Sequence, residues 1–347
     1  MYCLIALLLG FCVLEYRGAI SYKLMIIFMF LLMAYTVTTV DMAGYQGIFS
    51  KVQSLATINA TDVGFGFLMY IAKAAGLNFF EFVRLITVIG LALLTYIFYR
   101  HSICPALVLA LYFVFTFSTD TIQLRAFLAN CILYLMMLNM IENGDVNPLH
   151  FFVSMAIALS LHASSVFFVL LLAVVFIKDR RQLFGIIMAL CCMIPYASTI
   201  LNFIPIAAVR NKVAIYLMGQ RDSVSMAALI YVFLYIVITF VLLYVDYHTT
   251  DEKWKKQLDM LIKIHYICLI SCVLIVVYTS NFYRITRTVI VVDFIVLGNY
   301  FIEKEIIRKD NAAIISAGVM MFFLAFEFLT GIWMQIMQNN SIFCQFI

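Results

Sequence analysis

Charged side chains are scarce in this sequence. Asp, Glu, Lys and Arg make up 12% of the 347 residues, whereas 66% are hydrophobic. The mean hydropathy is +1.08. A soluble globule of this composition would expose far more apolar surface than soluble proteins tolerate. The composition therefore excludes a soluble globular protein and predicts an integral membrane protein.

The chain also lacks a polar segment long enough to form a soluble domain. The stretch DYHTTDEKWKKQLD is predicted to be only a cytoplasmic loop, near residues 246–259. The opening MYCLIALLLGFCVLEYRG has no basic segment before its apolar run and no small-residue cleavage site, which predicts a retained first helix. We expect one integral membrane domain over residues 1–347, with outer loops near 41–62 and 202–223.

Motifs for nucleotide and metal chemistry are absent as well. The sequence contains no GxxxxGK[ST], no GxGxxG, no HExxH, no GxSxG and no paired CxxC set among its nine cysteines. A net charge of +4 without a polybasic tail gives no sign of a nucleic-acid partner. An ATP-driven pump, a metal enzyme and a serine hydrolase are therefore disfavoured, and no cofactor is expected.

What the sequence has instead is a series of apolar runs that approach the roughly 20 residues needed to cross a bilayer. They favour a helical bundle over a β-barrel. The predicted fold class is an all-α polytopic membrane protein with about twelve transmembrane helices, plus a short re-entrant or interfacial helix at Gly64–Gly76. The twelve helices are predicted near residues 2–14, 24–40, 79–99, 103–119, 124–141, 149–162, 164–177, 183–201, 224–245, 260–279, 288–302 and 312–334.

The distribution of Lys and Arg predicts the orientation, because short cytoplasmic loops collect these residues. Thirteen of the 22 fall on one side, which is therefore assigned as cytoplasmic, and both termini then face outside. The other nine oppose the rule and suggest that a multivalent anion is held at the outer face, although pairing with lipid phosphates is the alternative. These nine are Lys51, Lys73, Arg84, Arg125, Arg210, Lys212, Arg221, Arg284 and Arg287.

His162 lies inside the apolar run LSLHASSVFF. A single helix over residues 149–177 would be about 43 Å long, too long for a hydrocarbon core of about 30 Å without strong tilt. The orientation favours a hairpin that turns at HASS, with His162 at its tip in a cavity open to water. The alternative is a helix-end histidine whose ring is satisfied by Ser160, Ser164 or a backbone carbonyl.

Other polar residues at the outer face are weaker candidates. Asp41 is a base candidate, or else caps its helix or pairs with an outer arginine, and Tyr45 is a sugar platform or interfacial packing. Arg210 and Arg221 lie in a segment that either rests on the membrane surface or covers the site. Two intramembrane acids, functional or structural, complete the set: Asp293 and Glu327.

Three segments carry a resemblance to a family. Residues 122–175 open with IQLRAFLANC and contain ALSLHASS, DMAGYQGIF follows the second predicted helix, and NFYRITR precedes a late one. Together they resemble the EpsG-like branch of the Wzy-type polymerases of O-antigen and exopolysaccharide. The family usually has Gln after the signature Arg, where this chain has Ala126 after Arg125. The chain also lacks the large outer loop of the O-antigen ligases.

The resemblance implies a glycosyltransferase bundle of the GT-C type in the bacterial inner membrane, with its active site facing the periplasm. It would join undecaprenyl-diphosphate-linked repeat units without a metal. The implied partners are the lipid-linked glycan donor and acceptor, membrane lipids and a protein that regulates chain length. The implied catalytic residues are His162 and Asp41 as candidate bases and Arg125 on the leaving diphosphate. The implied substrate-binding residues are Arg284, Arg287, Arg210, Arg221, Tyr45 and Tyr283.

Two other classes are compatible with such a chain. A flippase for lipid-linked oligosaccharide would also be all-helical and use arginines, but it should show two related halves, and none is visible here. A membrane acyltransferase is disfavoured because its acyl donor would come from the cytoplasm, whereas His162 is expected outside.

Overall fold

The computed structural model describes residues 2–15, 18–36, 39–58, 62–196, 226–306 and 331–343, together with the single residues 318, 321, 322, 325 and 329. This part of the chain is helical and contains no β-strand. Its helices are α1 Tyr2–Leu14, α2 Ala19–Ala34, α3 Val40–Lys51, α4 Val63–Ala74, α5 Phe79–His101, α6 Pro105–Tyr112, α7 Ser118–Ile122, α8 Leu124–Asn143, α9 Pro148–Leu161, α10 Ala173–Phe176, α11 Arg180–Met193, α12 Met226–His248, α13 Glu252–Val277, α14 Tyr283–Glu303 and α15 Ile332–Gln338.

Six helices among the described residues are long and apolar enough to cross a membrane. Five shorter apolar helices of 10–17 residues accompany them. The predicted all-helical, multi-pass fold is therefore confirmed, whereas twelve spans and a GT-C-type arrangement stay predictions. The six candidate spans are Phe79–His101, Pro105–Ile122, Leu124–Asn143, Ala228–His248, Glu252–Val277 and Tyr283–Glu303.

Two segments predicted to be loops are largely helical. The range 41–62 contains most of α3 and a short 3-10 helix, Leu55–Thr57. Within 246–259, α12 ends at His248 and α13 begins at Glu252. Asp251 caps α13, because its carboxylate accepts hydrogen bonds from the backbone N–H groups of Lys253 and Trp254 at 3.0 and 3.4 Å. The predicted loop 202–223 lies outside the described residues.

The chain forms two compact units. The first comprises Met1–Leu138, Pro148–Val166 and Val291–Ile347, and the second comprises Asn139–Asn147 and Phe167–Ile290. In the first unit, α2 packs against α1, α5 and α6. The end of the chain is tied to the end of α2, since the Asn340 side chain donates to the carbonyl of Leu32 at 2.9 Å.

Helix α4 is too short to span a bilayer. Its 12 residues extend about 18 Å, in agreement with the short helix predicted at Gly64–Gly76. The helix ends at Ala74, and Gly76 just beyond its C-cap residue Ala75 has a φ of +82°, in the left-handed region that favours glycine. Helix α4 packs on α9 at Gly64, where an added Cβ would lie 2.4 Å from the Ser160 Oγ. The glycine permits this close approach.

The helix break predicted at HASS is confirmed. Helix α9 ends at Leu161, and a 3-10 helix, Ala163–Leu172, begins after His162. The backbone N–H of His162 still donates to the carbonyl of Ala158 at 2.9 Å. The predicted reversal of the chain at this point stays a prediction.

The second unit is built on α13, which packs against α11 and α12. Arg180 at the start of α11 donates to the buried carboxylate of Asp246 on α12 at 2.6 Å. Lys263, buried on α13, pairs with Asp259 one turn earlier at 2.7 Å. These two buried charges, Asp246 and Lys263, are therefore paired, as a low-dielectric interior requires.

Candidate functional site

An aspartate that the sequence did not single out lies at the centre of the first unit's polar site. Asp62 occupies the N-cap position of α4, yet its side chain caps no backbone N–H of that helix. Its two oxygens are used elsewhere: Oδ2 accepts from Nη1 of Arg125, and Oδ1 accepts from the backbone N–H of Ala163 at 3.0 Å. The carboxylate therefore joins three separate helices.

His162 lies beside the same carboxylate. Its Nδ1 is 3.9 Å from Oδ1 of Asp62, and its side chain is 17% exposed. This separation is within the range of an ion pair but is too long for a hydrogen bond. The ring thus sits in the negative field of Asp62 at the interruption between α9 and the following 3-10 helix.

Arg125 is held from two directions. It is the second residue of α8, just after the break at Gln123 that separates α7 from α8. Besides its ion pair with Asp62, its guanidinium carbon lies 5.0 Å from the centroid of the Tyr45 ring. A cation at this distance over an aromatic face is attracted by the ring quadrupole. The side chain is 26% exposed, so part of it remains accessible to a ligand.

Tyr45 and Asp41 approach Arg125 from α3. Tyr45 is 4% exposed, and burial raises the pKa of its phenol despite the opposing effect of Arg125. The phenol is therefore protonated at neutral pH and is no base. Asp41 lies in the first turn of α3 after the N-cap residue Thr39, half-buried and close enough for its charge to act on Arg125. Of the three readings of Asp41, as a base, as a helix cap or as the partner of an outer arginine, this placement favours the third.

Three predicted substrate-binding residues lie in the second unit, within the first five residues of α14. The helix begins at Tyr283, so Arg284 and Arg287 share one face, three residues apart. Arg284 is half-buried. Arg287 is fully buried, with its guanidinium carbon 5.8 Å from the Tyr283 ring centroid. The Tyr283 ring in turn stacks on Tyr231 at 5.4 Å.

Arg210, Arg221 and Glu327 lie outside the described residues. Asp293 is fully buried in the first unit. Within the part of the chain that the structure describes, no group of three His, Cys, Asp or Glu side chains is placed to hold a metal ion.

The structure thus places two sequence candidates at one aspartate that was missed, and two more at Arg125. Arg125 and His162 lie beside the Asp62 carboxylate, and Tyr45 and Asp41 act on Arg125 from α3. Asp62 is 63 residues before Arg125 and 101 before Ala163. From the sequence, Asp62 is the acidic residue expected at a helix N-cap. Its use against another helix cannot be inferred from spacing alone. Chemically, the cluster offers an imidazole, a guanidinium and a carboxylate within reach of one another.

The model of a family described as the EpsG family matches residues 19–343, nearly the whole chain. No curated protein and no solved structure matches the chain.

Proposed function

The chain belongs to the EpsG family, a Wzy-like polymerase family, and we propose that it joins lipid-linked oligosaccharide repeat units into a polysaccharide at the outer face of the bacterial inner membrane. The family match indicates a membrane protein of the polysaccharide-polymerase type, with glycosyltransferase-like chemistry. The observation that carries the finer proposal is that Arg125 and His162 lie beside one carboxylate: Arg125 is paired with Oδ2 of Asp62, and Nδ1 of His162 is 3.9 Å from Oδ1.

The donor in this proposal is a growing glycan on undecaprenyl diphosphate, and the acceptor is the next repeat unit on the same carrier. An acceptor hydroxyl attacks the anomeric carbon of the donor, and the bond from that carbon to the diphosphate oxygen breaks. The proton leaves the hydroxyl as the new glycosidic bond forms. The lipid diphosphate departs with increased negative charge.

His162 is the base in this scheme. An imidazole has an unperturbed pKa near 6.5, so a large share of it can accept a proton at neutral pH. Its side chain is mostly buried but retains an exposed fraction, as a group that meets substrate requires. Asp41 is the second candidate base. Its proximity to Arg125 favours an ion-pairing role over proton transfer.

Arg125 supports the leaving group. A guanidinium can donate two parallel hydrogen bonds to phosphate oxygens, which an ammonium cannot. One of its nitrogens donates to Asp62, and the group lies over the Tyr45 ring. Arg284, Arg287, Arg210 and Arg221 are proposed as further diphosphate contacts, and Tyr283 as a platform for a sugar ring. The reaction proposed here needs no metal.

The alternative function is transport of the same lipid-linked units, and one cellular experiment separates the two. Deletion of the gene should leave single repeat units on the carrier at the periplasmic side, because delivery continues while joining stops. Units retained at the cytoplasmic side in the deletion strain would instead identify a flippase. Sidedness is read by susceptibility of the glycan to a periplasm-restricted glycosidase.

A further inference from the structure

Asp62 holds more partners than a helix cap requires. Its carboxylate is 11% exposed on the side chain, a degree of burial that is costly for a charge without partners. An Asp at an N-cap normally accepts from the second or third N–H of its own helix. Here it accepts from Arg125 on α8 and from Ala163, the residue after His162. The N-terminus of α4 therefore lacks a side-chain cap, because the Asp62 carboxylate bonds to Arg125 and Ala163 instead.

We propose that Asp62 is the positioning residue of the active site, orienting Arg125 and the His162 segment through its two oxygens and stabilising the protonated ring of His162 by its charge. The proposal rests on the proposed function, since it assigns Asp62 a role in that reaction. Asp62 itself touches neither sugar nor diphosphate in this scheme. It acts through the two residues that do.

The geometry explains how one carboxylate can both orient the His162 segment and stabilise the protonated His162 ring. The hydrogen bond to Oδ1 from the Ala163 N–H, at 3.0 Å, fixes the backbone directly after His162. The same oxygen lies 3.9 Å from Nδ1 of the ring. When His162 takes the acceptor proton it becomes a cation, and a carboxylate at this distance lowers the energy of that state.

The sign of the effect follows from the charges near His162. Asp62 favours the protonated ring, and Asp41 on α3 adds negative charge close to Arg125. The positive charge of Arg125 at the start of α8 opposes the effect of these two negative charges on His162, and Tyr45 is neutral. Removing only the charge of Asp62 leaves the cation of Arg125 and should therefore lower the pKa of His162.

The test compares the purified protein in nanodiscs with its Asp62→Asn variant. Asn keeps the size, an oxygen that accepts from Ala163, and a good N-cap. The pKa of His162 is read from the NMR shifts of labelled histidine across pH, with the signal assigned through His162→Gln. It should fall by about one pH unit in Asp62→Asn. Turnover should fall by about 10- to 100-fold, as for other residues that orient a reacting group, and the acid limb of its pH profile should move to lower pH.

Three further variants complete the test. Asp62→Glu keeps the charge and should recover part of the lost turnover, and Asp62→Ser, also a good N-cap, replaces Asn if that variant does not fold. Asp145→Asn removes an exposed acid that pairs with Lys178 at 3.1 Å and should leave His162 unchanged.

The two ideas fail in different ways. An unchanged His162 pKa in Asp62→Asn overturns the role of Asp62, whatever the turnover. Wild-type protein that binds lipid-linked repeat units but forms no glycosidic bond overturns the proposed function, and the NMR comparison still decides whether Asp62 acts on His162.

Discussion

At the scale of single residues, the account depends on two side chains that a membrane protein has little reason to keep near its apolar helices. His162 follows fourteen residues of α9 that contain no charge. Arg125 opens α8, where the positive end of the helix dipole disfavours a cation. Arg125 is unfavourably placed on its helix, and a protonated His162 would be costly in apolar surroundings. The carboxylate of Asp62 offsets both costs.

Replacing His162 by Gln tests the base directly. Gln keeps a hydrogen-bonding group but cannot accept a proton near neutral pH, so turnover should fall by about 10²- to 10⁴-fold. His162→Ala should give the same loss with little change in donor binding. Glycan ladders on gels measure the outcome. The control is His150→Gln in the first turn of α9, the helix that precedes His162. Near-normal ladders from His162→Gln would return His162 to a structural role.

Replacing Arg125 by Lys tests the shape of the cation. Lysine keeps the charge but cannot hold Asp62, stack on Tyr45 and grip a diphosphate together, so a loss of turnover of at least about tenfold is expected. Arg84→Lys is the matched control. Its guanidinium carbon lies 4.8 Å from the Tyr35 ring centroid, outside the site, and the substitution should be tolerated. Equal turnover in the two variants would contradict the bidentate role of Arg125.

At the scale of helices, the sequence predicted which kind of helix or break occurs better than it predicted where each helix begins and ends. The short helix α4 and the break at His162 follow from glycine flanks and from a run too long for one span. The segment DEKWKK was assigned to a loop by its charge, although Asp251 followed by Glu252 is also a helix start. Charge alone does not separate the two, because the first turns of a helix at a membrane surface are solvated as well.

Asp62 shows how much of the candidate site could not be predicted from the sequence. The composition around Arg125 and His162 made both visible as charges in apolar surroundings. Asp62 looks ordinary because it precedes a short helix in a polar segment. The packing of α4 on α9 brings it close to His162 and Ala163, which spacing in the sequence does not show.

That packing can be tested at Gly64. In Gly64→Ala the new Cβ would lie 2.4 Å from Ser160 Oγ and 3.1 Å from the Ser160 carbonyl carbon, so α4 must move away from α9. We expect a loss of about 1–3 kcal/mol in stability and reduced turnover. Thermal unfolding in detergent and a polymerisation assay measure the two effects.

Two companions make the test specific. Ser160→Gly in the Gly64→Ala background should recover part of both losses. Gly185→Ala, in a helix with no atom within 4 Å of the new Cβ, should be neutral or stabilising by about 0.5–1 kcal/mol. A Gly64→Ala variant as stable and active as wild type would show that the close approach of α4 and α9 is dispensable.

At the scale of the whole molecule, hydropathy identified a multi-pass helical protein but not how many segments cross. Six described helices meet the length and apolarity of a span, and several other predicted spans correspond to helices of 10–17 residues. Apolar runs show where a helix is stable in lipid. They do not show whether a short helix crosses, tilts or re-enters, because packing against neighbours decides that.

The orientation can be checked by labelling. With the nine native cysteines removed, cysteines at positions 210 and 221 should react with an impermeant thiol reagent added from outside, and one at position 255 should react only after permeabilisation. The basis is the concentration of Lys and Arg on the side that carries Lys255. The reverse pattern would place His162 on the cytoplasmic side and contradict the periplasmic reaction.

The most direct measurement of the central claim is the product formed by the purified protein in proteoliposomes from undecaprenyl-diphosphate-linked repeat units. With a chelator present and no nucleotide, the account predicts a ladder of joined units on gels and release of undecaprenyl diphosphate, both reduced by about 10²-fold or more in His162→Gln. Intact single units moved across the bilayer, with no ladder and no released diphosphate, would contradict it.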